Sequence, residues 1–236
     1  MTNQIRISAK NLGAIALADF CPRCFWIKLK MGNKLPYQIF PGIFSTLDSY
    51  SKKVIDSWVK AHGTLPSSLS SLGDVVESIK PLHHSKFFVE DENTNIKLTG
   101  EVDAVFRTKD NAYLIIDYKT AKFTKTQDRL FPMYEVQLNA YCEIGKQHGI
   151  DPVEALYLVY TEPATDFEDS EYKEFVTEDG FMLNFVSGIR PVEINQKLVD
   201  WSLEQTRSIY DLSLPPVGKD GCKDCGLLEQ LLAIAK

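Results

Sequence analysis

Two Cys-x-x-Cys pairs, Cys21-Pro22-Arg23-Cys24 and Cys222-Lys223-Asp224-Cys225, stand near opposite ends of this 236-residue chain. If they meet, both terminal arms must return to one place and everything between is looped out around a common core. Closing so long a loop without a bridging group costs chain entropy, although that cost grows only slowly with length. The start, Met1-Thr2-Asn3-Gln4-Ile5-Arg6, lacks the basic-then-apolar layout of a secretory leader. No apolar run reaches the roughly 18 residues of a membrane span. An intracellular, cytoplasmic protein is therefore expected, where thiols stay reduced and paired cysteines ligate metal before they form disulfides. Four thiolates at Cys21, Cys24, Cys222 and Cys225 suit tetrahedral Zn²⁺ or an iron–sulfur cluster. Cys142, the fifth cysteine, reads as an ordinary core thiol.

The length suits a single domain, 1–236, with cysteine-bearing arms at 1–40 and 213–236 and a core over 41–212. A helical pattern runs through residues 5–20, with Ser8 placed to cap it. A second helix is predicted from about Phe44 to His62, burying Leu47, Val54 and Trp58 and ended by Gly63 and Pro66. Residues 67–71 read as a connector. The period then changes to strands at 86–90, 97–107 and 112–120, separated by turn residues, which predicts an antiparallel meander. A helix over about 134–148, an apolar strand over 154–161, an acidic stretch with one edge strand near 174–176, a helix over 192–212 and a short terminal helix complete the reading.

Asp117 and Lys119 are two apart in a predicted strand and so emerge on one face, with Leu114, Ile116 and Tyr118 on the other. Asp103, across a tight turn, is brought near Asp117 by antiparallel pairing. Carboxylates that close repel one another unless a cation lies between them. Oxygen ligands with open coordination positions suit Mg²⁺ or Mn²⁺. Such an ion polarises a phosphodiester and activates a bound water, and Lys119 can orient that water or neutralise transition-state charge. A lone Asp-x-Lys tripeptide arises often by chance as a solvent-facing ion pair. Its context here is Gly100-Glu101-Val102-Asp103 before it and Gln137-Leu138-Asn139-Ala140-Tyr141 after it. Gln137 and Tyr141, four apart, share one helix face.

In that order, GxxD, DxK and QxxxY, the chain resembles the PD-(D/E)XK nuclease superfamily and specifically its RecB-like exonuclease branch. The resemblance extends from about Ser8 to Cys225. It implies an α/β, restriction-endonuclease-like αβββαβ core with a mixed central sheet flanked by helices. It also implies Mg²⁺- or Mn²⁺-dependent hydrolysis of DNA. Asp103 and Asp117 would be metal ligands, with the Tyr118 carbonyl completing the shell. Lys119 would be the catalytic lysine, and Gln137 and Tyr141 would support the site. Many RecB-like members present a histidine from the preceding helix; here Asp48 is the nearest equivalent, and Glu101, His83 and His84 are weaker candidates. Relatives with a cysteine clamp, among them helicase-associated and CRISPR-adaptation exonucleases, carry a 4Fe–4S cluster held by one cysteine before the core and three after. The division here is two and two, which keeps zinc as the alternative.

A net charge of −6 argues against a protein that coats nucleic acid, but a cleft needs only a local cluster of cations. Lys122, Lys125 and Arg129, with Phe123 and Phe131 among them, follow the catalytic strand and could track a DNA backbone. Lys28, Lys30 and Lys34 could form a second bank. The expected function is exonucleolytic attack on DNA ends or single strands in recombination, repair, phage replication or CRISPR adaptation. A catalytically silent nucleic-acid-binding scaffold is the alternative. There is no GxxxxGK[ST] loop, so any unwinding falls to a helicase or other partner, for which the acidic stretch 166–174 is one candidate surface.

Overall fold

The computed structural model describes residues 3–33, 41–122 and 128–235. In order these form β1 (Ile5–Ser8), α1 (Ala9–Gly13), α2 (Pro22–Lys30), α3 (Gly42–His62), β2 (Val75–Ile79), β3 (Phe88–Asp91), β4 (Ile96–Thr99), β5 (Ala104–Thr108) and β6 (Tyr113–Thr120). Then come α4 (Phe131–Gln147), β7 (Val153–Pro163), the two-residue strands β8 (Val176–Thr177) and β9 (Gly180–Phe181), β10 (Phe185–Val192), α5 (Gln196–Tyr210) and α6 (Lys223–Ile234). Among the described residues no helix is long and apolar enough to cross a membrane.

A mixed five-stranded sheet in the order β10-β7-β6-β5-β2 forms the centre. β6 lies in its middle, antiparallel to β5 and parallel to β7. Its apolar residues are buried on both faces: Ile115 enters the core shared with α4, while Leu114, Ile116 and Tyr118 enter a second core with Val59, Leu69 and Phe106. A strand covered on both sides reads as a continuous apolar run, as Tyr-Leu-Ile-Ile does. Removing each such large side chain from water contributes about 1.5–3 kcal/mol. The buried helix α4 packs between this sheet and a smaller one of order β1-β4-β3.

The α/β class and the helix–three strands–helix–strand order hold, but the three core strands are not the three that were expected. They are β2, β5 and β6, with the β3–β4 hairpin inserted between β2 and β5. The predicted strand 97–107 is two strands in different sheets, broken at residues 100–103. Gly100 makes the break possible: a Cβ there would lie 2.8 Å from the Tyr141 ring. The predicted helix over 5–20 begins instead with β1, which pairs in parallel with β4, and Ser8 caps the short α1 that follows by accepting the Asn11 N–H at 3.3 Å. On α3 the buried residue is Val59, flanked by Ile55, whereas Val54 and Trp58 are turned outward. The helix expected from Val192 starts at Gln196, because residues 185–192 form the edge strand β10, whose Pro191 is tolerated at an edge.

Replacing Gly100 by alanine forces a methyl against the Tyr141 ring and is expected to destabilise the fold by about 1–3 kcal/mol. Denaturant unfolding of Gly100→Ala beside wild type measures it; an unchanged midpoint would show that Tyr141 can move aside freely.

Candidate active site and four-cysteine centre

Pairing of Ala104 with Ile116 sets Asp103, one residue before β5, beside Asp117 on β6. Asp103 therefore precedes its strand instead of lying within it. Its Oδ2 accepts the Tyr118 N–H at 2.8 Å and its Oδ1 meets Lys52 Nζ at 2.6 Å. Asp117 is 2% exposed. Its Oδ1 accepts Gln137 Nε2 at 3.1 Å, and its Oδ2 is ion-paired with the Lys119 ammonium. Gln137 Nε2 also donates to the Tyr141 hydroxyl at 2.7 Å, while Gln137 Oε1 accepts Lys119 Nζ at 3.5 Å. Lys119 Nζ stands 4.1 Å from the centre of the Tyr134 ring. Period two on the strand and period four on the helix thus aim Asp117, Lys119, Gln137 and Tyr141 at one another.

These groups line a cleft of about 550 Å³ together with Asp48, Lys52, Lys10 and Glu101. Burial pushes the Asp103 carboxyl up to about 7; Asp117 adds to the rise and Lys52 opposes it. Asp117 is likewise raised by burial, against the pull of Lys119, Lys52 and Lys10. Burial, with Asp117 beside it, also raises the Tyr141 phenol, whose oxygen accepts the Gln137 amide. Two acids removed from water and repelling each other, with a third at Asp48, form an oxygen-donor set that fits a divalent cation.

Of the other predicted residues, Asp48 lines the cleft from α3, with its Oδ2 2.6 Å from Lys52 Nζ. Tyr118 turns its side chain to the opposite face, where burial raises its phenol. Glu101 is exposed at the cleft rim, 4.0 Å from His84, and His83 is exposed nearby. Lys122 is exposed past the end of β6, and Arg129 lies 3.8 Å from Asp19; neither lines the cleft. Lys125, Phe123 and Lys34 lie outside the described residues. Of the second basic bank, Lys28 donates to Asn11 and Lys30 caps the Tyr210 ring at 3.9 Å. Phe131 is covered by the Arg190 guanidinium.

Sequence reasoning missed Lys52 and Lys10. A signal for Lys52 was present: positions 48, 52, 55 and 59 fall on one face of α3. The first two of that stripe front the cleft and the last two enter the core.

The two cysteine pairs meet. Cys21 is the N-cap of α2 and Cys222 the N-cap of α6, so Cys24 and Cys225 sit one turn on. Helix N-termini favour negative charge, here that of thiolates. Sulfur–sulfur distances are 3.6 Å for Cys21–Cys225, 3.7 Å for Cys24–Cys222 and 3.5 Å for Cys24–Cys225, and all four lie within 4.8 Å of one another. The Lys219 N–H reaches Cys21 Sγ at 3.3 Å. Burial raises Cys21, but the N–H groups of Cys24 and Lys219 and the neighbouring thiols outweigh it and bring the group to about 6. Cys24 is raised by burial and by the same thiols. Arg23 pairs with Glu229 at 2.9 Å and joins the two helices beside the centre.

The family model of the PD-(D/E)XK nuclease superfamily matches residues 46–229, and the chain belongs to that superfamily. Its members are generally nucleases that use divalent metals. No curated protein matches the chain. Among solved structures, the one described as the crystal structure of SSO0001 is similar over 92% of this chain and 81% of that one, at 15% identity and a TM-score of 0.40.

The raised Asp103 carboxyl fixes the sign of one pH effect. The folded chain holds that proton more tightly than the unfolded chain does, so this group's contribution to stability falls as pH rises from its ordinary 3.8 to about 7. In EDTA, wild type is expected to lose melting temperature between pH 5 and pH 8 by more than Asp103→Asn does. Identical pH profiles for the two proteins would place the titration elsewhere.

Proposed function

We propose that this chain is a Mg²⁺- or Mn²⁺-dependent deoxyribonuclease of the RecB-like kind, acting as an exonuclease on DNA ends or single strands. The observation that carries this is the meeting of Asp103, Asp117, Lys119, Gln137 and Tyr141 in one cleft, in the motif order GxxD, DxK, QxxxY. Asp103, Asp117 and Asp48 would hold the ion, with the Tyr118 carbonyl as a further donor. The ion, when bound, supplies a polarised phosphodiester oxygen and an activated water. Lys119 supplies positive charge for the developing phosphorane. Gln137 fixes both partners of the working pair, since its amide nitrogen donates to Asp117 and its oxygen accepts from Lys119. Tyr141 anchors that amide from below. A scaffold that only binds nucleic acid has no use for a lysine braced against a buried carboxylate. Recombination, repair, phage replication and CRISPR adaptation are the processes such an activity serves, with a helicase or recombination partner providing any unwinding.

We propose further that the four cysteines hold one tetrahedral Zn²⁺. The RecB-like resemblance implies a 4Fe–4S cluster, which places four irons and four sulfides inside its thiolates and so holds them well apart. Zn–S bonds of about 2.3 Å give tetrahedral edges of about 3.8 Å. The closest sulfur pairs here, at 3.5, 3.6 and 3.7 Å, support the smaller centre. Its role is structural, binding α2 to α6.

On end-labelled single-stranded DNA with Mg²⁺ or Mn²⁺, wild type is expected to cut. Lys119→Ala is expected to be slower by about a hundredfold or more, and EDTA to stop both. If wild type is no faster than the variant on DNA or RNA, the binding-scaffold reading replaces the nuclease. Elemental analysis of the purified protein is expected to give about one zinc per chain. Iron, inorganic sulfide and visible charge-transfer absorption would instead establish a cluster.

A further inference from the structure

The cleft that is to hold a divalent cation already contains a cation of its own. Lys52 Nζ stands between two carboxylates, 2.6 Å from Asp48 Oδ2 and 2.6 Å from Asp103 Oδ1. Asp48 is one helical turn away on α3, whereas Asp103 comes from the start of β5, so the lysine joins helix to sheet across the cleft. Burial lowers the Lys52 ammonium, but the two carboxylates outweigh it and leave it firmly charged. A second lysine, Lys119, is held separately against Asp117 and braced by Gln137 and Tyr134. Among the described residues Lys52 has no such brace: its ion-pair partners are Asp48 and Asp103, both acids proposed as metal ligands.

A divalent ion bound by Asp48 and Asp103 uses the oxygens that Lys52 now occupies. Two cations do not share those oxygens at hydrogen-bond distance without strong repulsion. The Lys52 side chain is long, flexible and 30% exposed, so it can leave along the open side of the cleft. The strongest acceptor that a nuclease brings to that opening is the phosphate backbone of its substrate.

Resting on the metal-dependent reading above, we propose that Lys52 is a resident counter-ion which exchanges places with the catalytic metal. In the metal-free protein it neutralises Asp48 and Asp103. When the ion binds, Lys52 passes to a phosphate of the DNA strand. Metal and DNA then favour each other's binding, because each relieves the lysine of a competing partner, and the coupling is reciprocal. The residue thereby positions substrate and sets metal affinity without being a metal ligand.

The test is calorimetric titration of Mn²⁺ into wild type, Lys52→Met and Lys53→Met. Each titration is done alone and with a phosphorothioate single-stranded oligonucleotide that resists cleavage. Lys53 is the exposed neighbour on α3 and serves as the control. Lys52→Met is expected to bind Mn²⁺ about tenfold or more tightly than wild type. The oligonucleotide should tighten Mn²⁺ binding in wild type and Lys53→Met, and by a clearly smaller factor in Lys52→Met, where only the direct contact of the ion with phosphate remains. A merely structural lysine would give weaker or unchanged Mn²⁺ binding when removed, and that result overturns the proposal. Tighter Mn²⁺ binding with undiminished coupling to the oligonucleotide overturns the exchange onto phosphate. If none of the three proteins binds Mn²⁺, the metal-dependent reading itself falls, and this inference with it. Circular dichroism and melting of Lys52→Met confirm that the protein titrated is folded.

Discussion

The burial of two carboxyls beside each other, Asp103 and Asp117, is the constraint around which this site is built. Both carboxyls are taken out of water beside each other, at an energetic penalty that nearby cations offset only in part. Each neighbouring feature answers that penalty. Lys52 and Lys119 take one acid each, Gln137 donates to Asp117, and the Tyr118 N–H donates to Asp103. The raised carboxyls record what remains uncompensated. A fold assembled only for stability would do better with apolar side chains at these positions, so the pair points to a ligand that supplies charge.

The scaffold around the pair explains how that arrangement is held. β6 is central and covered on both faces, so Asp117 and Lys119 are fixed by backbone pairing on two sides. Gln137 and Tyr141 lie on the buried part of α4, which restricts the rotamers of both. Gly100 lets the chain cross Tyr141 and leave one sheet for the other, delivering Asp103 at the point of exit. The cysteine centre lies apart from this chemistry and joins α2 to α6, so the residues at both ends of the chain are held by one group of four sulfurs.

Much of the site was legible in the sequence because its spacings are those of regular structure. Asp117 and Lys119 at a separation of two, Gln137 and Tyr141 at four, and the duplicated Cys-x-x-Cys each fix a geometry without tertiary information. What was hidden depended on long-range contact. β1 is a four-residue strand running straight into an alanine-containing helix, so its alternation was absorbed into a helical period. β4 and β5 read as one strand, since only the Tyr141 ring, distant in sequence, forces the break between them. β2 and β10 are edge strands with exposed residues and a weak apolar pattern. Trp58 and Val54 looked like a buried stripe, yet the face of α3 that meets the sheet is set by Lys52 and Asp48 at one end and Val59 at the other. Lys52 itself carried no motif. Its meaning comes from Asp103, brought to it only by folding.

The most direct measurement is a crystal structure of the protein soaked in Mn²⁺, with anomalous difference maps collected at the manganese edge. An anomalous peak about 2.1 Å from carboxylate oxygens of both Asp103 and Asp117 is the expected result for octahedral coordination by oxygen. Lys52 should then be displaced from Asp103. A map in which Mn²⁺ binds only at exposed surface acids, with Lys52 still bridging Asp48 and Asp103, would contradict the assignment of this cleft as a metal-dependent nuclease site.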